Sequence, residues 1–173
     1  MPRKPKIVRK DISQRDFIGG IDPPSEADWV SVNLCGIHES DGMPDFIADL
    51  QTADGSMGLE IDVPPGVFTH LAFIVSGHLQ NSLYPSPYSM IASMASACRR
   101  RITAVVIDSR EGDLLRAKVV VEGQKSKFLL EAGAAEAIVL AMTASAPIYA
   151  VRSLLMAGEQ ESEGEMFPPR RSS

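Results

Sequence analysis

The stretch that most restricts the fold is "ITAVVIDSREGDLLRAKVVVEG", residues 102–123. Its first run, "ITAVVIDS", is almost continuously apolar, as expected of a strand covered on both faces rather than half exposed. The turn "REGD" then leads into a second run, "LLRAKVVVEG", and "SKFLLEAG" returns as a third. Acids in and beside that turn (Asp108, Glu111, Asp113) are the residues turns favour. A strand of the kind that opens this stretch needs cover on both faces.

The flanking sequence supplies the cover. "WVSVNLCGI" alternates Val30, Val32 and Leu34 against Ser31 and Asn33, "PDFIADLQT" reads as a second strand, and "GLEIDV" sets Leu59, Ile61 and Val63 on one face. "PPGVFTHLAFIVSG" opens with proline, as a first helical turn tolerates, and closes near Gly77. A second helix starts after Pro87, with Ile91, Met94, Ala95 and Cys98 as an apolar stripe, and ends in the triplet Arg99, Arg100 and Arg101. "GAAEAIVLAMTAS" predicts a helix, "APIYAV" a short strand, and Leu154, Leu155 and Met156 a closing short helix. Strands followed by helices, twice over, predict an α+β domain: a mixed β-sheet with helices packed on it. The two related strand–helix halves also suggest an internal duplication.

The ends differ from this middle. Residues 1–27 combine charge with "GGIDPPSEAD" and read as a basic arm and turn. The acidic residues 159–173 carry Pro168 and Pro169 without periodicity and read as a disordered tail. The domain is expected over residues 28–158. Arg3, Lys4, Lys6, Arg9 and Lys10 concentrate five positive charges in the arm, although the chain carries a net charge of −5. The remainder holds 12 basic and 22 acidic residues, which excludes a general polyphosphate-binding surface. No apolar run approaches the roughly eighteen residues of a membrane span, and no export signal opens the chain. A cytoplasmic protein without membrane partners is expected, with Cys35 and Cys98 as small core residues.

The order of "ITAVVIDSREGDLLRAKVVVE", "AEAIVLAMTASAPIYAVRSLLMAG" and "GLEIDV" resembles the bifunctional nuclease domain family, over roughly Val30 to Gly158. That family consists of small bacterial and plant proteins credited with DNase and RNase activity. The resemblance implies hydrolysis of phosphodiester bonds in DNA or RNA. Relatives place an Asp and then Arg-Pro-Ser-Asp-Ala at the start of the last main helix. This chain has Glu131, then Gly133, Ala134, Ala135, Glu136 and Ala137. Where relatives have Pro-x-Thr-His-Asp, it has Pro85, Ser86, Pro87, Tyr88 and Ser89. The acids are kept as Glu, and their polar neighbours are lost.

Phosphodiester hydrolysis needs an activated water and positive charge for the phosphoryl oxygens. Glu131, Glu136 and Asp108 are the candidate catalytic carboxylates. The cofactor stays open: a divalent cation such as magnesium or manganese is compatible with them, and no ligand spacing fixes one. As a first-turn carboxylate that complements a helix dipole, Glu136 is accounted for without catalysis. Arg99, Arg100, Arg101, Arg110, Arg116 and Lys118 are the candidate contacts to nucleic acid. His38, His70 and His78 have no acid at ligand spacing and read as structural or surface residues. Aromatic residues form only 6% of the chain, so a base-stacking platform is thin. The competing reading is a non-catalytic, homo-oligomeric member of the same fold that binds protein or nucleic acid.

Overall fold

The computed structural model describes residues 28–40, 46–77, 86–124 and 126–157. The expected arm and tail lie outside these residues, as does His78. The elements run β1 (Trp29–Glu39), β2 (Phe46–Gln51), β3 (Met57–Val63), α1 (Pro65–Val75), α2 (Pro87–Ala97), β4 (Arg100–Glu111), β5 (Leu114–Gly123), β6 (Lys127–Gly133), α3 (Ala134–Ala144), β7 (Ile148–Val151) and β8 (Met156–Ala157). They form one mixed eight-stranded sheet, in the order β6-β5-β4-β7-β1-β2-β3-β8. The chain is an α+β domain, as expected. Two three-strand meanders, each followed by helix, lie on either side of β7. This is an arrangement of elements and not a measure of common descent.

The β4–β5 hairpin is buried on both faces because its residues alternate between two cores. Ile102, Val105 and Ile107 of β4, with Leu115, Ala117, Val119 and Val121 of β5, face the main core under the helices. Ala104, Val106 and Val120 face the other way, packed with Trp29, Leu129, Tyr149 and Val151. A two-residue turn, Gly112–Asp113, joins the strands, with Gly112 at φ +63°, where glycine avoids the Cβ clash of the left-handed region. β4 therefore continues to Glu111, and Asp108 is a strand residue rather than a turn residue. It sits where the pairing register shifts between Ile107 and Ser109, at a bulge.

β7 adds parallel to β4 and antiparallel to β1, joining the two meanders into one sheet. The connection from β6 to β7 is α3, which crosses the main core. Ala134, Ala135, Ala137, Ile138, Val139, Leu140 and Ala141 are all buried in it. Small side chains let α1 and α2 approach α3 closely from either side. The helix ends with Ser145 in the left-handed conformation, and Ala146 N–H bonds to Ala141 C=O at 2.8 Å.

Three expectations are corrected. α2 has no buried residue: Tyr88 and Ala92 pack toward the core, whereas Met90, Ile91 and Met94 are exposed, the last at 65%. The predicted stripe had the right period and the wrong side, because a helix of Ala, Ser and Met reads as apolar nearly all round. Cys35 and Cys98 are exposed, at a bulge in β1 and at the end of α2. The closing helix is a single 3₁₀ turn, Arg152–Leu154, and Met156 already belongs to β8. Among the described residues no helix is long and apolar enough to cross a membrane.

Ala137 is fully buried in α3. Ala137→Leu is expected to destabilise the fold by about 1–3 kcal/mol through overpacking, read as a lowered denaturation midpoint. An unchanged midpoint would disprove close packing at this helix.

Candidate functional site

One group of polar side chains lies where the three helices meet. α3 begins with Gly133 as N-cap in an extended conformation (φ −65°, ψ 149°) and no side-chain cap. Glu136, in the first turn, folds back over this glycine. A Cβ at residue 133 would meet the Glu136 Oε2 atom and lie 3.2 Å from its Cδ, so only a bare Cα leaves the carboxylate where it is. Negative charge at this end of the helix complements the dipole.

Tyr88, in the first turn of α2, faces the same spot. Burial pushes its phenol above the ordinary 10.0, and the nearby Glu136 charge pushes it further the same way. His70 of α1 lies edge-on to the Tyr88 ring, with centroids 5.2 Å apart and planes at 73°. Each helix thus contributes one polar side chain. His70 has no acid at ligand spacing in the sequence, and Tyr88 stands where relatives have His. Position 88 within that motif was the available signal for Tyr88; nothing in the sequence placed His70 beside it.

The other two carboxylates lie elsewhere. Phe128 and Ala132 of β6 pack into the helix-side core and Leu129 into the opposite one, which puts Glu131 on the face away from Glu136. On that face Lys118 pairs in register with Glu131 on one side and with Val106 on the other. Its ammonium contacts Asp108 Oδ2 at 2.9 Å, and the two side chains are only 8% and 7% exposed. Glu131 and Asp108 therefore flank a lysine on one side of the sheet, and Glu136 stands on the other.

The cations divide in the same way. Arg116 donates two hydrogen bonds to Glu111 Oε2, at 2.9 and 3.0 Å, and Lys118 is held by Asp108. Arg110 is exposed near the same end of the hairpin. Arg99, Arg100 and Arg101 lie at the opposite end of β4 and, among the described residues, pair with no carboxylate. The Arg100 guanidinium lies 4.1 Å over the Phe128 ring and donates to Ser126 Oγ at 3.2 Å. His38 meets Asp49 across β1 and β2 at 3.1 Å.

Among the described residues no three His, Cys, Asp or Glu side chains converge as ligands. These residues do not assemble a protein-made metal cage, and no chemical step is derived through a metal ion.

A mixed sheet with helices on one side, and a carboxylate at the start of a small-residue helix, define the class. The model of the bifunctional nuclease domain family matches residues 50–163, and the chain belongs to that family. The match includes every candidate residue named above, and β1 lies before it. No curated protein is matched by the chain.

Two predictions follow from the geometry. Lys118→Ala leaves Asp108 buried without its partner and should cost about 3–5 kcal/mol in chemical denaturation. The double change Lys118→Met with Asp108→Leu should recover most of that loss. Equal cost in the single and double variants would show that the pair is not the cause.

For Tyr88, a raised pKa means that the folded state favours the neutral phenol. The stability linked to it is intact below pH 10 and declines as pH rises above that value. In an alkaline absorbance titration, the difference between wild type and Tyr88→Phe should show a phenol titrating above 10. Glu136→Gln should lower that midpoint without restoring the ordinary value, since burial is the larger cause. A Tyr88 phenol titrating at or below 10 would contradict the arrangement.

Proposed function

We propose that the domain hydrolyses phosphodiester bonds of DNA or RNA, with Glu136 as general base and Tyr88 as hydrogen-bond donor. What supports this reading is the placing of Glu136 in the first turn of α3 and Tyr88 in the first turn of α2, near enough for the Glu136 charge to raise the phenol pKa. These are the positions where family members resembling this chain carry Asp and His.

In the proposed step, Glu136 accepts a proton from water as the water oxygen bonds to phosphorus and the ester oxygen departs. A phenol kept neutral by its surroundings can donate to a phosphoryl oxygen without adding charge to the site. The departing oxygen leaves on the opposite side of phosphorus and takes its proton from solvent, and Glu136 gives up its own to water. His70, edge-on to the Tyr88 ring, limits how that ring turns.

A second reading, association without turnover, is favoured by one feature. Met90, Ile91 and Met94 expose apolar surface on a helix with no charged residue. A homo-oligomer formed through this helix is the form that reading takes.

Cleavage of labelled single- and double-stranded DNA and RNA, with and without magnesium or manganese, separates the two. Glu136→Gln should lower the rate by about 10²–10⁴. Gly133→Ala keeps the carboxylate but displaces it, and should slow cleavage with little loss of fold stability. Glu131→Gln, on the far face, should cleave as wild type does. Wild-type protein without activity above the blank would reject hydrolysis and leave the association reading.

A further inference from the structure

The arginine end of the sheet has a shape of its own. Cys98, Arg99, Arg100, Gly123, Gln124 and Ser126 line an open depression of about 260 Å³ between the end of α2 and the β5–β6 turn. We propose that this depression is a phosphate-anchoring subsite for the backbone of a nucleic-acid strand whose reacting bond lies at Glu136.

Three observations carry the proposal. The first is Arg99. It follows the C-cap of α2 at φ +57°, and its N–H bonds to Ser96 C=O at 2.8 Å. Helices commonly end there in glycine, because any Cβ is strained in the left-handed region. The arginine accepts that strain, offset in part by its charge at the negative end of the helix dipole.

The second is the positioning of Arg100. Stacked on Phe128 and bonded to Ser126, its guanidinium is fixed in place while other N–H donors remain for an anion. Neither arginine has an acidic partner among the described residues, unlike Arg116 and Lys118. Two uncompensated guanidinium groups in a concave surface are the chemistry of a phosphate site.

The third is direction. Phe128, under Arg100, and Gly133, under Glu136, are the second and last residues of β6. Both ends open on the helix side of the sheet, where Phe128 and Ala132 also pack. Five strand steps separate them, or about 17 Å. A strand of several nucleotides covers that distance, which a mononucleotide does not. Exposed Leu130 lies between the two ends. The favoured substrate is therefore a polynucleotide long enough to reach both ends, rather than a mononucleotide. This direction rests on the reading of Glu136 as the reacting end; the anchor itself rests on the depression alone.

The test measures binding of fluorescent oligonucleotides of about three and about twelve nucleotides to the full chain, with inorganic phosphate as competitor. Wild type should bind the longer strand at least tenfold more tightly. Arg99→Gly and Arg100→Ser should each reduce that preference by about fivefold or more and lower the salt slope by about one. Arg99→Gly should also melt at or above the wild-type temperature, since glycine relieves the backbone; this separates lost binding from lost folding.

Unchanged long-strand affinity in both variants would overturn the anchor. Equal affinity for both lengths, with millimolar phosphate displacing each, would make the depression a site for free phosphate and overturn the strand. Loss of binding in the variants, beside a wild type that binds but does not cleave, would uphold the anchor and reject the hydrolase reading.

Discussion

The double-sided burial of β4 and β5 is the constraint on which the rest of the structure depends. A hairpin with apolar side chains on both faces needs cover on both faces, and each face is covered differently. Under the helices the cover is α3, which lies across the hairpin as a buried element. On the other face it is a small cluster around Val106 and Val120, closed by Trp29, Tyr149, Leu129 and Val151. Lys118, almost fully buried on that face, has its ammonium held by a carboxylate at hydrogen-bond distance. The bulge at Asp108 is where β4 supplies one. The same pairing removes Lys118 from the cations available to a ligand.

Covering the first face determines what the helices can carry. α3 must lie close to the sheet and also accept α1 and α2 against its sides, so its buried length is built from Ala, Val, Ile and Leu. A charged residue fits in such a helix only where it leaves the packed region, and the first turn is that place. Glu136 is there, within electrostatic reach of Tyr88 at the start of α2, whose ring His70 of α1 meets edge-on. Meanwhile α1 and α2 bear on α3 through narrow faces and leave Phe73, Met90, Ile91 and Met94 at the surface.

Much of the fold was legible because its signals are local. The alternation in "GLEIDV" gives β3 with Leu59, Ile61 and Val63 buried, and the proline starts of α1 and α2 fall where the helices begin. What was not legible depends on distant partners. Periodicity identifies an apolar stripe on α2 but not which side α3 will cover, so Ile91 and Met94 read as core. Asp108 reads as a turn acid until Lys118, ten residues on, is brought against it. The site was half legible: Glu136 in a first helical turn follows from the small residues before it. Its proximity to Tyr88 and His70 comes from three separate helices, and no spacing in the chain encodes it.

Two positions break a local rule, one between α2 and β4 and one at the end of β6. Arg99 occupies a left-handed backbone that glycine would adopt without strain. Gly133 is an N-cap without a side chain, where Ser, Thr, Asp or Asn would bond the first turn directly. A sequence selected for stability alone would place glycine at the first position and a capping side chain at the second. Here the arginine lines an open depression, and the glycine leaves the space in which the Glu136 carboxylate lies. Departures of this kind are expected where a surface is shaped for a ligand rather than for the fold. Both open on one side of one strand, so an extended ligand can reach the two without crossing the sheet. The face around Lys118 and Asp108 satisfies its own charges, and by the same criterion it is part of the core.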